Sequence, residues 1–354
     1  MKRIGALLLA LGVCLALLCG CGSQPEQKIE NRGKSYFAYF DTVSYVYSYA
    51  GDSAEQFEQR SAEVSAILGE YHRLFDIYHE YSGMNNLCTI NKQAGGEAVE
   101  VDEKLIDFLL YAEELCDKTD SEMNVMMGAV LSLWHDARTA ALDNAADEHI
   151  PTEDELEAAS AHISPELLEI DAEHGTVRIS DPAASIDVGA LGKGYATEMA
   201  ARYLESAGAD GYVLNVGGNI RIIGTKPDGS NWLTGIKNPQ DTAAFAVQIR
   251  IADTSCVTSG TYERYFTVNG ERYHHIIDKD TLYPAAYFSS LTVITPDSAM
   301  ADALSTALFC MPYEDGLALA ERLGDVEVLW IYPDGEMKYT PGFGELIEEN
   351  SIEK

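Results

Sequence analysis

The order of helical and strand-like segments constrains the fold of this chain more than any other sequence feature. Apolar residues recur at helical spacing in residues 53–78, 101–119 and 125–141, after a β-branched and aromatic strand or hairpin at 35–50. From residue 175 onward strand-like segments dominate, and Asn269-Gly270 is a strong hairpin turn. Strands and helices do not alternate regularly. The pattern therefore predicts an α+β fold, with helices packed on mixed or antiparallel sheets.

Finer features of the pattern predict where individual elements begin and end. The segment "PTEDELEAA" predicts a helix that begins at Pro151, and "KGYATEMAARYLESAG" predicts a helix that ends at Gly208. The segment "ASIDVG", residues 184–189, predicts a strand, and Asp102 is a candidate cap for the helix over 101–119. The chain is long enough for one large domain or two intimate ones.

The first twenty residues have the layout of a secretory signal. Lys2 and Arg3 precede an apolar run that is short and wrongly flanked for a membrane-spanning helix. The segment "LCGC" places small residues before Cys21 and resembles a bacterial lipobox, although an ordinary signal beside a cysteine is the alternative. We therefore expect a signal peptide over 1–20, a lipidated Cys21 and a tether over 21–34. The protein would be anchored at the extracytoplasmic face of a bacterial cell membrane.

The charge of the chain limits its partners. The formal net charge is −33 at pH 7, and loss of Lys2 and Arg3 with the signal would make it −35. So acidic a surface argues against nucleic-acid binding and against lying flat on anionic lipid. An anionic ligand would need local cations from lysine, arginine or a metal.

The cysteine pattern does not indicate a zinc site. Neither C-x-x-C nor H-E-x-x-H occurs in the sequence. The cysteines after Cys21 are expected to be small buried hydrophobes, with a disulfide as the alternative in an exported protein: Cys88, Cys116, Cys256 and Cys310.

The segment "SIDVGALGKGYATEMA", residues 185–200, is a strand-to-helix turn that carries glycines and a lysine. Asp187 stands where a Walker A loop needs glycine and Gly194 where it needs a hydroxyl, and the Rossmann glycine spacing fails as well. Lys193 could neutralise a phosphate at the helix start. A tight connection with a solvated lysine explains the pattern equally well.

Asp302 and Thr306 form the sharpest candidate pair. They lie four residues apart on an otherwise apolar helix and therefore share a face. A buried carboxylate beside a hydroxyl suits Mg²⁺, with phosphate and water as further ligands. The alternative is structural, with Asp302 bonded to amides near the helix start and Thr306 bonded back to a carbonyl.

Three other features are ambiguous when taken alone. The segment "NVGGN", 215–219, indicates either close approach of a ligand or a β-bulge. His274 and His275 lie in a predicted strand, where one could serve as a base near neutral pH or both could be structural. Arg264 could bind an anion or lie solvated at the surface.

Taken together, the motifs resemble the ApbE family of FAD:protein FMN transferases, many of which are bacterial lipoproteins. The resemblance covers most of the chain after the signal. It rests on five ordered segments: "FDIYHEYSGMNNLCTIN", "DVGALGKGYA", "LNVGGNIRIIGTKPDGSNW", "VTSGTYERYF…RYHHIID" and "ADALSTALF". It implies a single large catalytic domain over 35–345, related to the T-fold, followed by a tail over 346–354.

The resemblance also assigns roles by position. It implies that Mg²⁺ is bound by the side chains of Asp302 and Thr306 and by the backbone carbonyl of Ala190, and that His275 is the base. Tyr78 falls at the aromatic position near the isoalloxazine. The remaining implied contacts to FAD are Phe40, Asp41, Glu122, Met123, Asn124, Asp187, Lys193, Ile276 and Ile277.

The implied reaction is a Mg²⁺-dependent transfer of FMN from FAD to a threonine or serine hydroxyl of an acceptor protein, with release of AMP. Acceptors would be flavoprotein subunits of exported or membrane redox complexes. Two alternatives are a Mg²⁺-dependent FAD pyrophosphatase and a non-enzymatic FAD-binding lipoprotein. Two segments depart from the family pattern: "EMNVMMG", where Asn124 replaces an acidic residue, and "DKDTLYP", where Lys279 replaces proline and Leu282 replaces glycine.

Overall fold

The computed structural model describes residues 31–144, 148–349 and 351. The predicted signal peptide, Cys21 and the tether up to residue 30 lie outside the described residues. The first strand begins at Arg32, three residues before the predicted domain start. At the other end, residues of the predicted tail pack on the domain, because Ile347 bridges Ile249 and the Glu348 amide donates to the Gln248 carbonyl at 2.8 Å.

Most of the strands of the described residues lie in the second half of the chain. In chain order they are β1 (Arg32–Tyr39), β2 (Thr42–Ser48), β3 (Val99–Glu100), β4 (Leu168–Asp171), β5 (Thr176–Ile179), β6 (Tyr212–Val216), β7 (Asn219–Ile223), β8 (Trp232–Asn238), β9 (Asp241–Ile251), β10 (Ser255–Gly260), β11 (Tyr265–Val268), β12 (Glu271–His274), β13 (Ser290–Thr295), β14 (Glu327–Ile331) and β15 (Met337–Tyr339).

The helices of the described residues lie mainly in the first half and near the C-terminus. They are α1 (Ala54–Leu74), α2 (Leu87–Lys92), α3 (Glu103–Lys118), α4 (Gly128–Asp143), α5 (Glu153–Ser160), α6 (Gly192–Ser206), α7 (Ser298–Ala307), α8 (Tyr313–Leu323) and α9 (Pro341–Leu346). None of the helices in the described ranges is both long and apolar enough to cross a membrane.

An eight-stranded antiparallel sheet forms the centre of the molecule, in the order β1-β2-β6-β7-β10-β13-β14-β15. Three smaller sheets pair β3-β5-β4, β8-β9 and β11-β12. Because every described pairing within a sheet is antiparallel, the predicted α+β class is confirmed.

Helix α7 is buried because hydrophobic clusters cover two of its faces. Ala299, Ala303 and Ala307 pack into the largest cluster, with α1, α3, α6 and one face of the central sheet. Ala301 and Leu304 pack into a second cluster, with α8, β13 and β14. Any polar side chain in the middle of α7 is therefore carried into the interior.

Several predicted local features are confirmed. Asp102 caps α3 through a bond to the Lys104 amide at 2.9 Å. Asn269 and Gly270 have φ angles of 52° and 85° and join β11 to β12. The four cysteines of the described residues are buried and unpaired, as the first of the two alternatives predicts.

Three predictions need correction. Helix α5 begins at Glu153, because the Thr152 hydroxyl accepts from the Glu155 amide and caps the helix. Residues 184–189 are not a strand; they make one bridge, Ser185 to Met127, and their other backbone bonds go to loops and a side chain. The segment 215–219 contains no bulge, since Gly217 and Gly218 form a two-residue hairpin turn with φ angles of 58° and 96°.

Candidate active site at the start of helix α6

Hydrogen bonds from separate segments hold the glycine-lysine turn in place. The Asp187 amide donates to the Val125 carbonyl at 2.8 Å, and the Asn91 side chain bonds both backbone groups of Ile186 at 2.7 and 2.9 Å. The Asp187 carboxylate accepts from the Gly189 amide at 2.8 Å. The N-cap residue of α6, Leu191, provides no side-chain bond. The helix start is therefore not capped by its own N-cap residue, an arrangement that favours an anionic ligand.

Asp302 connects α7 to this helix start. Its Oδ2 accepts from the Gly194 amide at 2.8 Å, and its Oδ1 lies 3.6 Å from Lys193 Nζ. A Cβ on Gly194 would overlap Asp302 and the Ser298 carbonyl, so this approach requires glycine. We call the group Lys193, Gly194, Ser298 and Asp302 the α6–α7 seam.

A second contact fastens the seam one helical turn further along α6. The Ser298 amide donates to Glu198 Oε2 at 3.0 Å. Glu198 is buried, and its charge is balanced by Arg221 at 3.5 Å and Arg202 at 3.0 Å. Two buried hydrogen bonds thus fix the register of α6 against α7.

The bonds of the structural alternative are found only in part, because Asp302 accepts from an amide at the start of α6 and not of its own helix. Asp297, and not Asp302, caps α7 through bonds to the amides of residues 299 and 300. Among the hydrogen bonds of the described residues, it is Ser305, and not Thr306, that bonds back to the Asp302 carbonyl. Asp302 Oδ1 accepts no hydrogen bond in this set, since its contact with Lys193 is longer than a hydrogen bond.

These oxygens fit a Mg²⁺ ion. A carboxylate oxygen and a hydroxyl lie four residues apart on one helix, and Mg²⁺ prefers such hard oxygen ligands. The described residues contain no group of three His, Cys, Asp or Glu side chains that could hold a metal. A metal at Asp302 and Thr306 would therefore need further oxygens from backbone, substrate or water.

A second group of residues lies beside the seam and is linked to it by the charge of Lys193, which acts on His275. The Tyr78 hydroxyl and His135 Nδ1 form a hydrogen bond of 3.2 Å, and His135 Nδ1 lies 4.0 Å from Asp187 Oδ2. Burial, followed by the charges of Asp187 and Asp41, raises the pKa of Tyr78. Arg264 acts on the same phenol in the opposite direction. We call Asp41, Tyr78, His135, Arg264 and His275 the cleft rim.

The turn between β1 and β2 carries two of the predicted flavin contacts. Phe40 and Asp41 have φ angles of 55° and 50° and close a two-residue hairpin turn between Tyr39 and Thr42. The Phe40 amide donates to His72 Nδ1 at 3.3 Å, which fastens the turn to α1. The Asp41 side chain is exposed and close enough to act on Tyr78.

The two histidines differ in the hydrogen bonds of their rings. His274 Nε2 bonds the Ala285 carbonyl at 2.9 Å while its Nδ1 accepts from the Ile276 amide at 3.2 Å. Within the described residues, the His275 ring bonds only the Arg264 carbonyl, through Nδ1 at 3.1 Å, so its Nδ1 carries the proton and Nε2 is left as an acceptor. The surrounding protein atoms, with Arg264 among the nearby charges, lower the pKa of His275 although its ring reaches solvent. His275 is therefore neutral at pH 7.

Some predicted contacts are not brought to the surface of the cleft. The side chains of Met123, Ile276 and Ile277 are buried in hydrophobic clusters. Any contact of these three with a cofactor would fall to their backbone groups. The Asn124 side chain is used within the protein, because it donates to the Ile163 carbonyl and accepts from the Met126 amide, both at 2.8 Å.

The two segments that depart from the family pattern contact each other. Lys279 Nζ pairs with Glu122 Oε1 at 3.1 Å and joins the two loops. Leu282 has a φ of 63°, so it keeps the left-handed backbone for which glycine is suited, at a cost of about 1 kcal/mol. Its carbonyl accepts from Trp134 Nε1 at 3.0 Å. The loop therefore closes on α4 without the glycine.

Sequence reasoning missed Glu198 and His135. Glu198 lies within a predicted helix, where a glutamate is ordinarily solvated. Its burial depends on the packing of α7, which is distant in the sequence, against α6. His135 is a lone histidine on an amphipathic helix, and no spacing links it to Tyr78 or Asp187. Neither residue carried a local signal that could have found it.

A groove of about 360 Å³ lies on another face of α6, between α3 and the start of α7. Its arginine is already paired: Arg202 bonds Asp297 at 3.1 Å, and the Tyr111 hydroxyl donates to Asp297 at 3.3 Å. Volume alone does not make it the stronger candidate, because the convergent cations and open acceptors lie at the seam and the cleft rim.

Comparison with known proteins gives a consistent result. The sequence model of the ApbE family matches residues 41–330. The FAD:protein FMN transferase of Treponema pallidum is 30% identical over 352 residues, which covers 94% of this chain and 93% of that protein. The FAD:protein FMN transferase of Vibrio cholerae is 29% identical and covers 92% of this chain and 94% of its own length.

Solved structures agree with the sequence relatives. The crystal structure of the ApbE protein of Thermotoga maritima superposes with a TM-score of 0.79 at 27% identity, covering 90% of this chain and 100% of that one. The flavin transferase ApbE of Vibrio cholerae superposes with a TM-score of 0.73 at 26% identity, covering 90% and 99%.

Proposed function

Because this chain belongs to the ApbE family, we propose that it transfers FMN from FAD to an acceptor protein. The acceptor group would be a threonine or serine hydroxyl. Its oxygen forms a bond to the FMN-side phosphorus, the phosphorus–oxygen bond to AMP breaks, and AMP leaves with the bridging oxygen. The hydroxyl proton passes to a base on the protein. In such a transfer, positioning and charge stabilisation supply most of the rate enhancement.

The observation that carries this proposal is the contact between Asp302 and the start of α6. It joins a buried carboxylate, a lysine and the start of a helix whose own N-cap residue gives no side-chain bond, all within one small region of a strongly acidic protein. Lys193 and Arg264 both act on His275, so the cations lie on the same side as the candidate base. An anionic diphosphate would find local positive charge there despite the overall charge of −33.

Asp302, Thr306 and the Ala190 carbonyl would hold Mg²⁺. The ion would supply neutralisation of the charge that develops on the phosphate oxygens. The chain's own contribution is to bury Asp302 and to give its Oδ1 no hydrogen-bond donor from the part of the chain that the structure describes. Asp187 would be held for the nucleotide by its bond to the Gly189 amide.

His275 would accept the proton of the acceptor hydroxyl at Nε2. Its Nδ1–H is committed to the Arg264 carbonyl, which orients the ring and fixes the tautomer. His274 could not serve in this way without losing a bond, because both of its ring nitrogens are engaged. The lowered pKa keeps His275 in the neutral form that a base requires.

The cellular setting is part of the proposal. The predicted signal over 1–20 and lipidation of Cys21 would place the domain outside the cytoplasm, within a short tether of the membrane. Its acceptors would then be flavoprotein subunits of exported or membrane redox complexes. Radiolabelled palmitate incorporation that is lost in Cys21→Ala would support the anchor, and export with no incorporation would contradict it.

A single assay tests the activity. The protein lacking residues 1–21 is incubated with FAD and Mg²⁺, with and without a threonine-bearing flavoprotein subunit, and in-gel flavin fluorescence is read together with AMP. A fluorescent acceptor band with an equal amount of AMP supports the transferase. AMP and free FMN in the absence of acceptor would instead make the protein a pyrophosphatase. Bound FAD without either product would make it a binding protein.

A further inference from the structure

The backbone around Tyr78 is fixed by its own loop, whereas its ring is not. Asp76 Oδ1 accepts from the amides of Tyr78 and His79 at 2.7 and 3.0 Å, and Asp76 Oδ2 accepts from the Tyr81 hydroxyl at 2.8 Å. The Tyr78 residue is nevertheless 63% exposed. An exposed ring on a fixed backbone can still turn about its side-chain torsions unless a group outside the loop holds it.

His135 is the group that holds it. The hydrogen bond of 3.2 Å between the Tyr78 hydroxyl and His135 Nδ1 joins residues 57 positions apart. No other hydrogen bond of this hydroxyl is found among those described for the chain between residues 31 and 351. The same Nδ1 lies 4.0 Å from Asp187 Oδ2, so His135 stands between two predicted contacts to FAD.

Helix α4 gives His135 a fixed position. The preceding residue, Trp134, is buried, stacks on Tyr273 with ring centroids 5.9 Å apart and donates to the Leu282 carbonyl. At the start of α4, the Gly128 amide donates to the Ser185 carbonyl at 3.1 Å, and a Cβ on Gly128 would overlap Ser185. The helix is therefore packed in register against the segment that carries Asp187.

We propose that His135 is a positioning residue that holds the Tyr78 ring beside Asp187. The inference rests on the proposed function, in which the Tyr78 ring lies beside the isoalloxazine of FAD. A ring that is already held loses less conformational freedom when the flavin binds, so the contact tightens FAD binding. His135 acts through Tyr78 and not on the reacting phosphorus.

A double-mutant cycle on the full-length chain, purified in detergent, tests this by FAD titration. His135→Leu and Tyr78→Phe each remove the hydrogen bond and keep a side chain of similar size. Each should raise the Kd for FAD about three- to tenfold. The Kd of the double variant for FAD should be no higher than that of either single variant. His135→Asn, which keeps a polar atom near the Nδ1 position, should recover part of the loss.

Two results would overturn the proposal. One is an unchanged Kd in His135→Leu, and the other is full additivity in the double variant, which would mean that His135 acts without Tyr78. His174→Leu is the matched control, since His174 also pairs with an aspartate, Asp171 at 2.8 Å, but is exposed on a surface turn. It should leave the Kd unchanged.

A measurement without FAD separates this inference from the proposed function. In protein labelled with 3-fluorotyrosine, the ¹⁹F signal of Tyr78 is assigned by its loss in Tyr78→Phe. His135→Leu should shift and narrow that signal, because the ring becomes free to turn. A signal that does not change would show that His135 does not hold the ring, whether or not the chain binds FAD.

Discussion

The α6–α7 seam and the cleft rim meet in one site but are built in opposite ways. At the seam, buried groups meet through backbone amides, and a single added Cβ at Gly194 would force the helices apart. At the rim, exposed side chains are held by single bonds between side chains or to one carbonyl. The seam therefore couples the candidate metal site to the stability of the core, whereas the rim can change without unfolding the protein.

This difference explains where the sequence departs from the family pattern. Asn124, Lys279 and Leu282 all lie in loops beside the rim, and the seam retains its whole pattern. A substitution in a loop is absorbed by a new local bond, as the Lys279–Glu122 pair shows. A substitution at the seam would have to be absorbed by two packed helices.

The largest effect is expected from Asp302→Asn. The shape and the bond to the Gly194 amide can persist, but the charge that would bind Mg²⁺ is lost, so turnover should fall by about three orders of magnitude. Loss of the Mg²⁺ response, measured as AMP release over a Mg²⁺ titration, checks this. Asp315→Asn, on an exposed position of α8, is the control. Full activity of Asp302→Asn would remove the metal assignment.

His275→Ala tests whether a residue of the rim can change without unfolding the protein. Loss of a general base should lower the transfer rate by about 100-fold or more, while the Kd for FAD and the Tm stay close to those of the parent. His274→Ala should behave differently and destabilise the fold by about 1–3 kcal/mol, because two bonded groups lose their partner. If His275→Ala still transfers FMN and a folded His274→Ala does not, His274 is the base and His275 is not.

Gly194→Ala tests the rigidity of the seam. The added Cβ should cost about 1–3 kcal/mol in the free energy of unfolding and should displace Asp302, so activity and stability fall together. Gly316→Ala in α8 is a matched helical control, since its Cβ would meet its nearest neighbours at 3.5 Å. That variant should be neutral or slightly more stable. Equal melting curves for the two variants would show that the close contact at Gly194 does not constrain the packing of α6 on α7.

The lowered pKa of His274 contributes to the pH dependence of stability, in the same direction as that of His275. Burial disfavours the charged ring, and protonation at Nδ1 would break its bond to the Ile276 amide. The unfolded chain binds this proton with the ordinary pKa of 6.5, so it holds more protons than the folded chain at lower pH. The free energy of unfolding should therefore fall as pH drops below 6.5. In urea titrations, His274→Gln should reduce that slope relative to the parent.

The smallest effect is expected from Lys279→Ala. The pair with Glu122 is only partly buried, so its loss should change the free energy of unfolding by less than about 1 kcal/mol. Because burial already raises the pKa of Glu122, removal of the lysine should raise it further. A large loss of stability would show that the loops beside the rim are as tightly coupled as the seam.

Much of the fold could be predicted because its signals are local. Helix and strand periodicity, the Asp102 cap and the Asn269-Gly270 turn each depend on neighbouring residues, and each is found where the pattern predicts it. The strand predicted at 184–189 was wrong because β-branched residues describe a preference for extended backbone and not the presence of a partner strand. Here the partners are a side chain and two loops.

The sequence by itself determined the fold class, the family and the residue types available for phosphate and metal chemistry, because these are recorded in local patterns and ordered motifs. Only the tertiary structure decided that the Gly194 amide meets Asp302 across 108 positions, that Glu198 is buried and that His135 reaches Tyr78. Such contacts depend on how α4, α6 and α7 pack, and packing is set by the shape and volume of the whole core. No short window of sequence contains that information.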